Sequence, residues 1–480
     1  YRIPPLVVGT DHVVHSLVAC ALCFQAVTLP LSSQTQILSG WGRTMPVQAK
    51  VVQPASVQQV QELVRQASPA SLIARGLGRS YGDAAQLDGA SAVEMGAYDQ
   101  INLDLVKGSV TAGAGVSLSQ LLRVIVPAGF FLPVTPGTRN VTIGGAIAAD
   151  VHGKNHHVDG SFGNHVQRLL LVDGSGELRE LTPSGSVDEI EQFWATVGGM
   201  GLTGLIVEAT FSLIPISSSL ISVNTARYQN LDELMAAMVA SDSNYRYSVA
   251  WIDSLDAKGR GVLSCGDHAI AEQLPTSQQA DPLVYDPKPL ASAPTFLPGG
   301  LLNKLTVRAF NEAWFRKAPK HRLGELQTIG AYFHPLDGVQ DWNRIYGPAG
   351  FLQYQFVVPD NAAHLVLYTL EALRKVGTSS FLTVLKRFGP SNPGHLSFPM
   401  QGWTLAVDLP AAVPGLFEVL DHLDEHIAAA NGRLYLAKDS RQSATILRRT
   451  YPRLEEWQQA REKLDPSKVF CSDMAIRTGL

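Results

Sequence analysis

Apolar and polar positions fall into short blocks from Thr44 onward, and the blocks switch between a period of two and a period near 3.6. "PVQAKVVQPAS" predicts a strand and a turn. Ser56, with Gln59 three residues later, then makes a capping box ahead of Val57, Val60, Val64 and Ala67, which form one helical face. "SLIARG" (71–76) predicts a short buried strand that ends in a glycine loop. The unit recurs farther on: "GSVTAGAG" is a strand closing on Gly113 and Gly115, and Ser117 with Gln120 caps a helix carrying Leu118, Leu121, Leu122 and Ile125. This is α and β alternating in short units.

Residues 137–166, "GTRNVTIGGAIAADVHGKNHHVDGSFGNHV", are rich in Gly and His and too irregular for one element. "RLLLVDGSGELRELTP" then predicts a hairpin with a Gly-Ser-Gly turn. After "GGMGLTGLIVEATFSLIPI" the character changes. Residues 217–432 hold most of the aromatics and a Pro/Ala/Ser-rich stretch at 268–300, which reads as a mobile flap on a second domain. A helix near 414–430 (Leu416, Leu420, Leu423, Ile427) stops at Asn431-Gly432, and the tail from 433 returns to the first domain.

At 480 residues the chain has room for two or three domains. Its net charge of −4, with lysines and arginines scattered and no aromatic-basic stripe, argues against nucleic acid as a partner. The four cysteines, Cys20, Cys23, Cys265 and Cys471, are too dispersed for a disulfide framework and read as free thiols. The apolar stretch at 13–31 is interrupted by His15, Ser16 and Gln25. It reads either as a weak signal or anchor or as an upstream extension.

The stretch "ARGLGRSYGD" (74–83) is not a dinucleotide fingerprint. Its glycines, Gly76, Gly78 and Gly82, are one residue too widely spaced, and no amphipathic helix follows. What remains is a turn whose amides could form an anion nest, with glycine admitting a diphosphate to close approach. Gly144-Gly145 and "GGMG" (198–201) are two further places of this kind. Three glycine loops, each behind an apolar strand, favour an extended ligand containing a pyrophosphate. No P-loop, nucleophile elbow or H-E-x-x-H occurs, and His152, His156, His157 and His165 lack thiolate or carboxylate companions at ligand spacing. No metal is expected.

Seven segments in order, "ARGLGRSYGDAAQ", "PGTRNVTIGGAIAADVHGKNHH", "GSFGNHV", "FWATVGGMGLTG", "FLQYQFVVP", "RLYLAKDSR" and "DPSKVFCSDMAIR", resemble the decaprenylphosphoryl-β-D-ribose 2-oxidase family, flavin enzymes of the vanillyl-alcohol-oxidase type. The resemblance runs from about residue 40 to the end. It implies an α+β fold: a two-subdomain FAD-binding domain of the PCMH type at 37–216, completed by 433–480. A mixed α/β substrate domain built on an antiparallel sheet is inserted at 217–432. Residues 1–36 would be an extension, either a weak signal or disordered.

The resemblance also implies that Ala74, Arg75, Gly76, Leu77, Gly78, Arg79, Ser80, Tyr81, Gly82 and Asp83 wrap the FAD diphosphate. Gly137, Thr142, Ile143, Gly144, Gly145, Ala149, His152, Gly153, Lys154, Ile206 and Tyr435 would line the rest of the cofactor. Many members of the wider superfamily place at position 79 a histidine that bonds covalently to the flavin. A guanidinium stays protonated and cannot act as that nucleophile, so FAD is expected to be held noncovalently.

Oxidising a secondary alcohol needs a base for the hydroxyl proton and an acceptor for the hydride. The resemblance points to Lys438 as the first candidate, with Tyr81 and His152 beside it and Gln355 and Lys386 on the substrate side. Gln353 and Asn392 are further polar candidates, and Trp251, Leu336, Leu382 and Phe388 would wall an apolar pocket. Lys386 or Arg344 would meet a phosphate. Phe333, Thr404 and Ala406 replace the usual tyrosine, asparagine and inhibitor-reactive cysteine of the family, which leaves substrate choice open.

The activity implied is FAD-dependent oxidation of the 2-hydroxyl of decaprenylphosphoryl-ribose, the first half of an epimerisation that an NADH-dependent reductase partner completes for cell-wall arabinan. A polyprenyl-phosphate sugar substrate implies peripheral membrane association, at a periplasmic or other cell-membrane location. A soluble alditol or aldonolactone oxidase and a catalytically silent flavin-binding partner are the alternatives.

Overall fold

The computed structural model describes residues 32–289, 291–294, 300 and 302–480. The 13–31 stretch, with Cys20 and Cys23, lies outside the described residues. The expected boundary at 36/37 does not coincide with the start of structure: β1 (Ser32–Leu38) runs across it and pairs antiparallel with β2 (Val47–Gln53), from Ser32 opposite Gln53 to Leu38 opposite Val47. All of β1 except Leu38 is exposed. A polar edge strand has no buried face and hence no alternation to read; its ladder of main-chain hydrogen bonds holds it.

β3 (Leu72–Arg75) and β4 (Ser91–Glu94) complete a mixed sheet in the order β1-β2-β4-β3, with β2, β4 and β3 parallel. Parallel strands need a crossover, and the helix Val57–Arg65, capped by Ser56 as its sequence predicts, supplies the one from β2 to β3. The next run holds β5 (Ile101–Asp104), β6 (Ser109–Gly113), β7 (Phe130–Phe131), β8 (Val166–Val172), β9 (Leu178–Leu181), β10 (Leu205–Ser212) and β11 (Ile214–Pro215). Five of them form an antiparallel sheet in the order β5-β6-β10-β8-β9, while β7 pairs with β11. Leu118, Leu121, Leu122 and Ile125 of the Ser117-capped helix belong to the core beside this sheet.

The remaining strands are β12 (Leu220–Tyr228), β13 (Tyr247–Ile252), β14 (Gly261–His268), β15 (Ala291–Ser292), β16 (His321–Thr328), β17 (Val339–Gln340), β18 (Phe351–Val358), β19 (Thr383–Phe388), β20 (Gly402–Pro410) and β21 (Arg433–Leu434). Eight build one antiparallel sheet, β16-β12-β14-β13-β19-β20-β18-β21; β15 and β17 pair separately. Period-two alternation gives this sheet two different faces. Ala250, Leu263, Tyr354, Phe356, Leu385, Leu405 and Val407 pack into a core with the helices Leu231–Ser241, His364–Lys375 and Leu416–Ala429. The other face carries the functional cavity.

The C-terminal tail starts as β21, the last strand of the large sheet, and then crosses to the first sheet. There Phe470 bridges Leu72, Trp457 Nε1 donates to Ala195 O at 2.9 Å, and Arg477 makes a two-pronged ion pair with Asp83. The described part of the 268–300 stretch contains helical turns at Ala271–Gln273 and Thr276–Gln279.

Candidate active site

A cavity of about 930 Å³ lies between the glycine loops and the second face of the large sheet. On one side main chain forms its wall. The loop after β3 passes through Gly78 at φ +61°, and the amides of Leu77, Gly78, Arg79 and Ser80 donate to no protein acceptor among the described residues. The loop is held from behind. Arg75 donates to Ala85 O and Ser39 O, and Tyr81 N donates to Ala437 O at 2.9 Å. A Cβ on Gly76 would lie 2.5 Å from Thr142 Oγ1, the hydroxyl that caps the helix Ile143–Ala148.

On the other side, side chains form the wall. Strand register places Gln353 opposite Asp408, Gln355 and Val384 opposite Ala406, Lys386 opposite Thr404, and Trp251 opposite Val384. Directly paired residues share a face, so one sheet surface presents this polar set in a row. Gln353 Nε2 bridges Asp408 Oδ1 at 2.5 Å and Tyr81 OH at 3.3 Å; Gln355 Nε2 reaches His152 Nε2 at 3.1 Å and Thr404 Oγ1 at 3.2 Å. Lys438 Nζ sits 3.7 Å above the centre of the Tyr81 ring. Lys154 Nζ lies 4.0 Å over Tyr332 and also donates to that residue's carbonyl.

Burial sets the charge states here. It lowers the Lys386 ammonium to about 8, and it lowers Lys154 to about 7 with Lys386 adding repulsion. Burial likewise lowers Lys438, against the attraction of Asp408, and raises the Asp408 carboxyl, against hydrogen bonding from Gln353 and the attraction of Lys438. Each of the two thus favours the charged form of the other against burial. His152 is driven well below its ordinary value by burial and by Lys386, which keeps it neutral. Its ring is wedged by Phe388 at 4.8 Å and Tyr435 at 5.2 Å, and Nδ1 is buried with no partner among the described residues. The inner part of the cavity thus presents the amines of Lys154, Lys386 and Lys438 and a neutral imidazole, with Asp408 behind Gln353.

Residues 48–182 match the family FAD binding domain, and residues 416–478 match the family D-arabinono-1,4-lactone oxidase. The chain is 43% identical over 461 residues to the decaprenylphosphoryl-beta-D-ribose oxidase of Mycolicibacterium smegmatis, an alignment that covers 94% of this chain and 99% of that one. The chain belongs to the decaprenylphosphoryl-β-D-ribose oxidase family. It is 38% identical over 381 residues to an uncharacterized Streptomyces coelicolor protein, covering 76% and 100% of the two chains. It is 23% identical over 461 residues to the L-gulono-1,4-lactone dehydrogenase of Mycobacterium tuberculosis, covering 92% and 98%. FAD is the cofactor and the chain is an FAD-dependent oxidoreductase.

The geometry fits that cofactor. Four amides without protein partners among the described residues, the turn at Gly78 and the buried, unpartnered Arg79 Nε suit a diphosphate-bearing ligand. Of the family-derived cofactor set, the structure brings Ala74, Gly76 to Tyr81, Gly137, Thr142, Gly144, Gly145, Ala149, His152 to Lys154 and Tyr435 to the cavity wall. From the substrate and catalytic sets it brings Trp251, Phe333, Leu336, Gln353, Gln355, Leu382, Lys386, Ala406 and Lys438.

The other expected residues are elsewhere, for identifiable reasons. Ile206 lies in the β10 ladder between β6 and β8, and Ile143 is core. Arg75 and Asp83 brace the loop from outside, Asp83 through Arg477, and Gly82 packs on the Asp439 carbonyl. Phe388 stands behind His152, and Thr404 behind Gln355. Asn392 is used up on Asp150 and Ser161, at 2.8 Å each, and Arg344 on Ala293 O and Asp341. The four histidines also disperse: His156 accepts from Gly389 N, His157 faces Tyr245 O, and His165 faces Asp159 O.

Sequence reading overlooked Asp408, Trp41 and Tyr332. Asp408 could have been found, since Thr404, Ala406 and Asp408 are two apart on one strand. Trp41, 3.9 Å from the Arg79 guanidinium, and Tyr332, under Lys154, carry no such signal.

Proposed function

We propose that this chain oxidises the 2-hydroxyl of decaprenylphosphoryl-β-D-ribofuranose to the 2-keto sugar, and that an NADH-dependent reductase partner consumes the product. Residues 32–216 with 433–480 would hold FAD noncovalently, and residues 217–432 would hold the substrate. FAD, when bound, supplies the acceptor for the hydride that leaves the carbinol carbon.

The protein's own part is proton handling and orientation. Lys438 in its neutral form takes the hydroxyl proton, and Asp408 stabilises the resulting ammonium. Gln353 fixes that carboxylate against Tyr81, while Gln355 and the wedged His152 define where the sugar ring rests. Lys386, for which no carboxylate partner is recorded among the described residues, and Lys154 give the cavity a net positive charge suited to the substrate phosphate. Trp251, Leu336 and Leu382 offer apolar surface to the first prenyl units.

The observation that carries this reading is Lys438, set over the Tyr81 ring and lining the same cavity as the glycine loop with its unpartnered amides. The match to the lactone-oxidase family supports a second reading, oxidation of a free sugar or lactone. One experiment separates the two: anaerobic bleaching of the flavin absorbance with lipid-linked ribose, compared with free alditols and aldonolactones. Bleaching by the lipid-linked substrate alone supports the first reading, and bleaching by free sugars alone overturns it. Acid precipitation should leave the yellow colour in the supernatant; colour in the pellet would contradict noncovalent binding.

A further inference from the structure

The cavity does not end at the sugar site. It continues over β13, β14 and β12, past Val249, Val262 and Thr225, to Trp314, Lys317 and Arg322, all three of which are exposed. The helix that forms this mouth, Lys304–Lys317, is fixed from within largely by polar contacts. Asn311 is fully buried and donates to Asp253 Oδ1 at 2.7 Å, Arg227 donates to Phe315 O, and Arg260 lies 4.5 Å from the Phe315 ring while pairing with Glu312. Its outward surface is the apolar one. Phe310 and Trp314 stack at 6.0 Å and remain 44% and 46% exposed, Leu305 is 77% exposed, and Leu323 on the edge strand β16 is 64% exposed.

A firmly anchored helix that shows aromatics to solvent marks an interaction surface. Charge identifies the partner. Residues 304–325 contain six lysines and arginines (Lys304, Arg308, Arg316, Lys317, Lys320 and Arg322) against Glu312 and Glu325, in a chain whose net charge is −4. Exposed Trp, Phe and Leu among cations suit the headgroup region of an anionic bilayer.

We propose that the outer surface of the helix Lys304–Lys317, together with the start of β16, rests on an anionic lipid bilayer, so that the cavity mouth opens onto the membrane. A prenyl chain then passes from the bilayer to the sugar site past Trp314, Val262 and Val249. The proposal builds on the lipid-linked substrate reading above.

The test is flotation of the FAD-loaded full chain with vesicles of phosphatidylglycerol and phosphatidylcholine in equal parts, and with pure phosphatidylcholine. Two variants avoid every cavity-lining residue: the triple Leu305→Ser/Phe310→Ser/Leu323→Ser and the double Arg308→Glu/Lys320→Glu. Wild type should float only with the anionic vesicles, and each variant should bind about tenfold more weakly. Both variants should still be bleached normally by a short-chain, water-soluble phosphoryl ribose, which tests the chemistry apart from docking. Failure of that bleaching in wild type counts against the catalytic reading, whereas flotation alone judges the surface. Variants that float like wild type, wild type that ignores the anionic lipid, or a wild-type dimer that the variants split into monomers would each overturn the proposal.

Discussion

The two walls of the cavity solve opposite problems. The glycine-loop wall is made of main chain, so its chemistry would survive many side-chain changes, yet it tolerates no added volume: a Cβ on Gly82 would sit 2.0 Å from Asp439 O. The sheet wall is made of side chains projecting from a rigid ladder. Its function depends on which of those groups can hold a proton. On the proposed assignment, backbone would grip the cofactor and side chains would handle the substrate.

The contrast breaks first at Gly82. In Gly82→Ala the new methyl meets the Asp439 carbonyl and the Ser440 Cα at 2.8 Å, both main chain, so the loop must part from the segment that carries Lys438. The expected result is protein purified without flavin absorbance, and a stability loss of about 3 kcal/mol or more by denaturant titration. Gly89→Ala is the control. At φ +71° with nothing within 4 Å, it should lose about 1 kcal/mol to backbone strain and keep its colour.

The sheet wall should respond in rate rather than in cofactor content. Lys438→Met should retain the flavin spectrum and lower kcat by about 10²–10⁴-fold. In wild type the rate should rise with pH as the Lys438 ammonium loses its proton. Asp408 attracts that proton, so Asp408→Asn lets Lys438 deprotonate at lower pH and should move the rising limb of the rate profile to lower pH. A limb that stays put in Asp408→Asn, or that persists in Lys438→Met, would remove Lys438 from the role of base.

How the two walls could be read from sequence follows the same division. Gly76, Gly78, Gly144 and Gly145 were visible because close backbone approach admits few other residues, and the capped helices after Ser56 and Ser117 because caps and periodicity are local. Gln353 and Gln355 entered through the family resemblance, although their alternation with Tyr354 and Phe356 on one strand also marks them. Asp408 was legible by the same rule and was passed over. Ile206 and Asn392 do not line the cavity, because family position does not say which way a side chain points: one faces the core of the five-stranded sheet, and the other serves the buried Asp150. The polar strand β1 and the stacking of Arg79 on Trp41 rest on pairings between distant segments, which no local pattern encodes.

A smaller effect sharpens the electrostatic half of the comparison. Lys386 and Lys154 titrate at about 8 and about 7 in the folded protein, below their ordinary 10.5. Between those values and about 10 the unfolded chain binds more protons than the folded one, so their contribution to stability becomes more favourable as pH rises. Below the folded values it is constant and unfavourable. Lys386→Met should therefore raise stability near pH 6 relative to wild type, by about 1 kcal/mol given its partial contact with cavity solvent. That gain should fade as pH approaches 10. Thermal unfolding across this window checks it, and a gain that grows with pH would contradict the assigned direction.

The smallest expected effect concerns Thr404, which never touches the cavity. Its hydroxyl accepts one of the two Gln355 amide hydrogens, while His152 Nε2 accepts the other. Thr404→Val keeps the shape of the side chain but leaves a buried N–H unpartnered, a cost of about 1 kcal/mol. Gln355 would turn to recover a partner, and its hold on His152 would loosen. The imidazole itself should stay in place, because Phe388, Phe398 and Tyr435 pack its ring within 5.6 Å. The rate should then fall less than tenfold, with the flavin spectrum unchanged. Thr404→Ser, which restores the acceptor without the methyl, should recover most of that rate. Equal losses in the Val and Ser variants would mean that Thr404 acts by filling space, and that the hydrogen bond to Gln355 does not position the sheet wall.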